Sequence, residues 1–69
     1  MNLNISALYA AIHNNKIEVI ESNLQAFVDR VTELHPSNRN YMWYNREFKK
    51  KDYFLITLDN KEYFFQKVG

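Results

Sequence analysis

Pro36 divides this chain into two halves of different chemistry, and that division limits how a core can be built. Of the eleven aromatic residues only Tyr9 and Phe27 precede it, while Tyr41, Trp43, Tyr44, Phe48, Tyr53, Phe54, Tyr63, Phe64 and Phe65 follow. Charge divides at the same place: two basic residues face four acidic ones up to His35, and seven face four from Pro36 onward. Neither half is long enough to enclose a core alone, so residues 1–69 are expected to form one domain with the halves as its two layers. The chain has 69 residues and no cysteine, which excludes a disulfide framework, a thiolate metal site and a cysteine nucleophile. Dense aromatic packing or self-association has to stabilise it instead.

In the first half Ile17, Ile20, Leu24, Phe27, Val31 and Leu34 recur at spacings of three and four, which predicts one amphipathic helix over 16–34. Asn15, with Glu18 three residues on, resembles a capping box. Pro36 forces His35 out of helical geometry and ends the helix near Leu34. Ile5, Leu8 and Ile12 predict a shorter helix over 4–14, with Asn14-Asn15 as the break. A competing parse takes Lys16 to Glu21, KIEVIE, as a strand. Ser22 then caps the next helix, with Gln25 in the capping-box position. Residues 8–24, LYAAIHNNKIEVIESNL, resemble the helix-turn-helix part of an ankyrin repeat in Leu8, Ala10, Ala11, the Asn14-Asn15 turn and Glu18-Val19-Ile20. That resemblance implies a helical hairpin and no function.

The second half reads as three strands, Tyr41 to Phe48, Tyr53 to Leu58 and Glu62 to Val68, rich in aromatic and branched residues. Asp59-Asn60 suits a two-residue hairpin turn, since both residues tolerate positive φ. A tight turn there sets Ile56 against Tyr63 and Phe54 against Phe65. The run Lys49-Lys50-Lys51-Asp52 is expected to make the other reversal. The expected fold is therefore a two-layer α+β domain of order ααβββ, an N-terminal helical hairpin on a three-stranded antiparallel sheet; the competing parse gives αβαβββ.

Catalytic constellations are sparse. His13, His35, Ser6, Ser22, Ser37 and scattered carboxylates show no spacing of a nucleophile and its base. His35 beside Pro36 reads as a C-terminal cation offsetting the helix dipole, and Glu18 with Glu21 as a solvated helix face. Gly69 is the only glycine, so a glycine-rich phosphate loop is excluded. The expectation is a protein that is not an enzyme and uses no metal or cofactor. The N-terminus lacks a basic start followed by a long apolar core, and no apolar run approaches the roughly 20 residues of a membrane span. A cytoplasmic protein with no membrane contact is expected.

Two binding readings remain. The first is a small regulator or inhibitor that occupies a surface of a larger protein complex. A sheet with rings on both faces covers the helices with one face and leaves the other partly exposed, and Tyr, Trp and Arg are the residue types that anchor interfaces. Tyr41, Trp43, Tyr44 and Arg46 are the expected contact residues, with homodimerisation through a sheet edge or aromatic face as a variant. The second is nucleic-acid binding by the basic-aromatic segment 39–51, with Arg39, Lys49, Lys50 and Lys51 on phosphates and rings on bases. A groove-reading helix does not fit it, because residues 16–34 carry four acidic side chains against two basic ones.

Overall fold

Two pairs of consecutive residues with positive φ organise the chain. A computed structural model describes residues 7–69, and in it Asn14 and Asn15 take φ of 53° and 63°, and Asp59 and Asn60 take 50° and 64°. Two left-handed residues in succession make the hairpin turn whose twist matches that of paired strands, and Asn and Asp adopt this conformation at low cost. The first turn joins strands β1 (Leu8–His13) and β2 (Lys16–Glu21). The second joins β3 (Tyr53–Leu58) and β4 (Lys61–Val68). Between the hairpins lie helices α1 (Leu24–Leu34) and α2 (Tyr41–Lys50). The strands form one antiparallel sheet in the order β2-β1-β4-β3.

Each helix begins on an asparagine. The Asn23 side chain accepts from the Ala26 N–H at 3.0 Å and the Asn40 side chain from the Trp43 N–H at 3.0 Å, each satisfying a donor the helix leaves open. Leu24, Phe27, Val28 and Val31 of α1 and Tyr44 and Phe48 of α2 turn inward. They meet Ala11, Val19, Phe54, Ile56, Leu58, Tyr63 and Phe65 from one face of the sheet. The centre of this core is aromatic: Phe27 meets Phe65 edge-on at 5.4 Å, and Tyr44 stacks on Phe65 at 5.5 Å. Both helices pack on this one face.

The order ββααββ replaces both expected orders. Residues 8–13 form a strand, not the second half of a helix, and the ankyrin-like helical hairpin is a β-hairpin; the part of that expectation on residues 4–6 lies outside the described residues. A strand does occupy 16–21, but the helix after it is capped by Asn23, not Ser22. The misleading spacing has a physical cause. Ala11 pairs with Val19 and Ile12 with Ile17, so Glu18 is an extra residue on β2. This bulge turns Ile17 and Ile20 onto the same face at a spacing of three, which in sequence reads as a helix. Tyr41–Lys50 is a helix instead of a strand because Tyr41, Tyr44 and Phe48 put their rings on one side at spacings of three and four, after a capping asparagine. Lys49 and Lys50 are its last turn and Lys51 its C-cap, so the lysine run is not a strand reversal.

Candidate functional site

Strand alternation assigns each side chain to a face. Tyr9, Ala11, Val19, Phe54, Ile56, Leu58, Tyr63 and Phe65 look toward the helices. Leu8, Ala10, Ile12, Ile17, Ile20, Tyr53, Leu55, Thr57, Glu62, Phe64, Gln66 and Val68 look away, as the cross-strand pairs Ile12↔Ile17, Ile12↔Phe64, Leu55↔Phe64 and Leu8↔Val68 require. Among the described residues no element covers this second face. Leu55 is 62% exposed and Ile17 59%, and Ile20, Tyr53 and Val68 are each at least half exposed. Tyr53 and Phe64 stack across β3 and β4 with centroids 5.4 Å apart.

Two open depressions mark the face. One of about 530 Å³ lies against Lys51, Tyr53, Leu55 and Phe64, and one of about 490 Å³ lies between the hairpin turns, from Ile12 and Asn14 to Lys61 and Glu62. Among the described residues Glu62 is the only charged side chain that alternation assigns to the face; Lys51 and Lys61 stand at its rim. Such a face disfavours phosphate, which needs cations, and favours an apolar surface. Contiguous apolar area of this kind makes the face the candidate interaction site.

The inner side holds the richest polar cluster. The Asp59 carboxylate meets His35 Nδ1 at 2.6 Å and accepts from the Ser37 hydroxyl at 3.1 Å. His35 Nε2 meets the Tyr63 hydroxyl at 2.7 Å, and that hydroxyl donates to Glu18 at 2.6 Å. His13 stacks on the Tyr63 ring at 5.0 Å, and its Nδ1 lies 3.0 Å from the Glu62 carbonyl. Hydrogen bonds from His35 and then Ser37 hold the Asp59 carboxyl below its ordinary range. Burial, with the Glu18 carboxylate, pushes the Tyr63 phenol up to about 12.

With Tyr63 donating to Glu18, its oxygen accepts from His35, whose other nitrogen donates to Asp59. The chain of bonds is complete when both His35 nitrogens carry protons. A phenol held neutral is the opposite of an activated nucleophile, and both His35 and Tyr63 are buried. The cluster therefore clasps structure: it joins the end of α1, the β3–β4 turn and the bulge of β2. Among the described residues no group of three potential metal ligands converges.

Not all of the residues expected to bind a partner reach the surface. Tyr44 is wholly buried, and burial holds its phenol far above the ordinary range. Its hydroxyl donates to Asn38. Tyr41 is half-buried against the core, and Trp43 lies edge-on to Tyr44 at 5.0 Å and to Phe54 at 5.6 Å. Arg46 is exposed. The cations of the nucleic-acid reading are separated. Arg39 precedes the cap of α2 and holds its guanidinium 4.7 Å from the Trp43 ring centroid, whereas Lys49, Lys50 and Lys51 end the helix, about 15 Å away at 1.5 Å per residue. Ile12, Ile17, Ile20, Leu55, Phe64 and Val68 are not among the contact residues expected from the sequence. The usable signal was YFLITL and YFF, strands apolar at consecutive positions and hence on both faces.

Comparisons with models of protein families, with curated proteins and with solved structures find no match for this chain. No helix among the described residues is long and apolar enough to cross a membrane.

Proposed function

We propose that this protein is a non-catalytic binding protein that docks the uncovered face of its sheet on an apolar surface of a larger protein, as a regulator or inhibitor of it. The observation that supports this is the row of exposed apolar side chains, Ile17, Ile20, Tyr53, Leu55 and Val68, around Phe64 on an otherwise nearly uncharged face. Complete burial of such a side chain is favourable by about 1.5–3 kcal/mol, so covering several already half-covered ones is worth several kcal/mol. This is the order of the cost of association, so polar contacts from the Lys51 and Lys61 rim have to contribute to a tight complex.

The reading is tested by affinity capture from a native lysate with three baits. The wild-type chain is expected to recover a stoichiometric protein, Ile20→Lys to lose it, and Arg46→Ala on the opposite layer to keep it. Capture that survives Ile20→Lys, or no stoichiometric protein on the wild type, overturns the proposal.

A further inference from the structure

The sheet ends in two strands of opposite character. At one edge, β2 carries Lys16, Glu18 and Glu21 and is interrupted by a bulge, devices that discourage a further strand from adding. At the other edge, β3 is YFLITL: six residues with no charge, proline, glycine or break in register. Among the described residues its only strand neighbour is β4.

The outward groups of β3 follow from its turn. Leu58 and Lys61 flank the two-residue turn and form the narrow hydrogen-bonded pair that closes it. Ile56 and Phe54 then also bond inward, as does Asp52, whose carbonyl accepts from the Lys67 N–H at 2.7 Å. The N–H and C=O groups of Tyr53, Leu55 and Thr57 point away from the sheet.

The geometry points to a homodimer in which β3 pairs antiparallel with β3 of a second copy, about a two-fold axis at Leu55. This inference is independent of the docking role of the open face. The unpaired row of β3 is its own complement. Centred on Leu55, the pairing sets Leu55 beside its own copy and Tyr53 beside Thr57 of the other chain. Centred on Ile56, the same strands set Leu55 beside Thr57 and leave Tyr53 opposite the turn residue Asp59, beyond the end of the partner strand. All three outward residues find partners in the first register. The product is a continuous eight-stranded sheet with the charged, bulged β2 strands at its ends and the two uncovered faces side by side.

Sedimentation equilibrium of the full chain from micromolar to millimolar concentration is expected to show twice the chain mass. Leu55→Pro removes an N–H that points outward and leaves the β4 ladder intact, so it is expected to weaken dimerisation at least about tenfold. Because the chain has no cysteine, single thiols report the register directly. Leu55→Cys brings two thiols together at a Cα separation of about 5.5 Å, which a disulfide spans, and is expected to cross-link on oxidation. Thr57→Cys leaves its thiols about 13 Å apart and is expected not to. If Leu55→Pro fails to fold, the two cysteine variants still decide. A monomer throughout the concentration range overturns the proposal, as does equal cross-linking at positions 55 and 57. Efficient cross-linking of Ile12→Cys also overturns it, since that places the contact on the face of the sheet and not its edge.

Discussion

Tyr63 of β4 donates its hydroxyl to Glu18 of β2 at 2.6 Å, across the whole width of β1. The ring lies along His13 on the strand between, so one side chain spans three strands while His35 meets the same oxygen from the end of α1. Tyr63→Phe keeps the ring and leaves Glu18 and His35 Nε2 without a partner. The expected cost is about 1–3 kcal/mol, read as a lower urea midpoint with an unchanged slope. Glu18→Gln keeps an acceptor oxygen and is expected to cost less.

Alkaline titration should reveal the two buried tyrosines, Tyr44 and Tyr63. Tyr44 and Tyr63 are held neutral chiefly by burial, with the Tyr63 phenol pushed up to about 12 from an ordinary 10.0. A phenol whose pKa is raised by folding stabilises the native state fully below pH 10, and loses that contribution as pH rises through its folded value. Absorbance of phenolate near 295 nm is expected to rise for Tyr63 near pH 12, with Tyr44 ionising after it or on unfolding. Tyr63→Phe removes the step near 12.

Acid acts through the same cluster with the opposite sign. Hydrogen bonds from His35 and Ser37 lower the Asp59 pKa from 3.8, so its contribution is present above the ordinary carboxylate range and is lost as pH falls through the depressed folded value. Thermal melts over that acid range are expected to fall less steeply for Asp59→Asn than for the wild type.

The two turns offer a stabilising change. Asn15 and Asn60 are the second left-handed residues of their turns, at φ of 63° and 64°. Glycine adopts that conformation without a Cβ penalty, so Asn15→Gly and Asn60→Gly are each expected to raise stability by up to about 1 kcal/mol. Asn14→Val should lower it by about 1–2 kcal/mol, because a branched side chain is forced to positive φ.

Replacing Lys49, Lys50 and Lys51 together by Ser is expected to leave the circular dichroism spectrum and the thermal midpoint nearly unchanged, since these side chains are exposed at the end of α2. Capture of a protein partner should weaken through the loss of Lys51 and survive when only Lys49 and Lys50 are replaced. Loss of a salt-sensitive affinity for single-stranded nucleic acid after it would instead assign the helix end to phosphate contacts.

The C-terminal hairpin was legible because its signals agreed: Asp59-Asn60 between branched, aromatic runs sets Ile56 against Tyr63 and Phe54 against Phe65, as the structure has it. Asn14-Asn15 carries the same turn chemistry but, between runs with helical spacing, reads as a helix break. Alanines at positions 10 and 11 weakened the strand pattern of β1, and the bulge at Glu18 gave β2 a helical spacing. In α2, the number of rings suggested β structure, although Tyr41, Tyr44 and Phe48 keep helical spacing and strict alternation would have buried Asn45. That rings lie on both faces of the sheet is readable from consecutive aromatic positions, Tyr53-Phe54 and Tyr63-Phe64-Phe65. Which side chains stay uncovered depended on where the helices pack, a matter of tertiary contacts. The clasp of Asp59, His35, Tyr63 and Glu18 joins four distant segments, and no local pattern announces it.

The two inner strands of the sheet are the first and last of the described elements, since Ala11 of β1 pairs with Phe65 of β4. During synthesis the β1–β2 hairpin therefore emerges with the inner edge of β1 unpaired, and it stays so while both helices and β3 are made. Closing that gap demands a contact between the most distant parts of the described chain, the kind of step that slows folding and prolongs exposure of apolar strands. In a cell the interval before β4 arrives is when the unpaired edge of β1 and its inward side chains Tyr9 and Ala11 are open to chaperones and to misassembly with a neighbouring nascent chain.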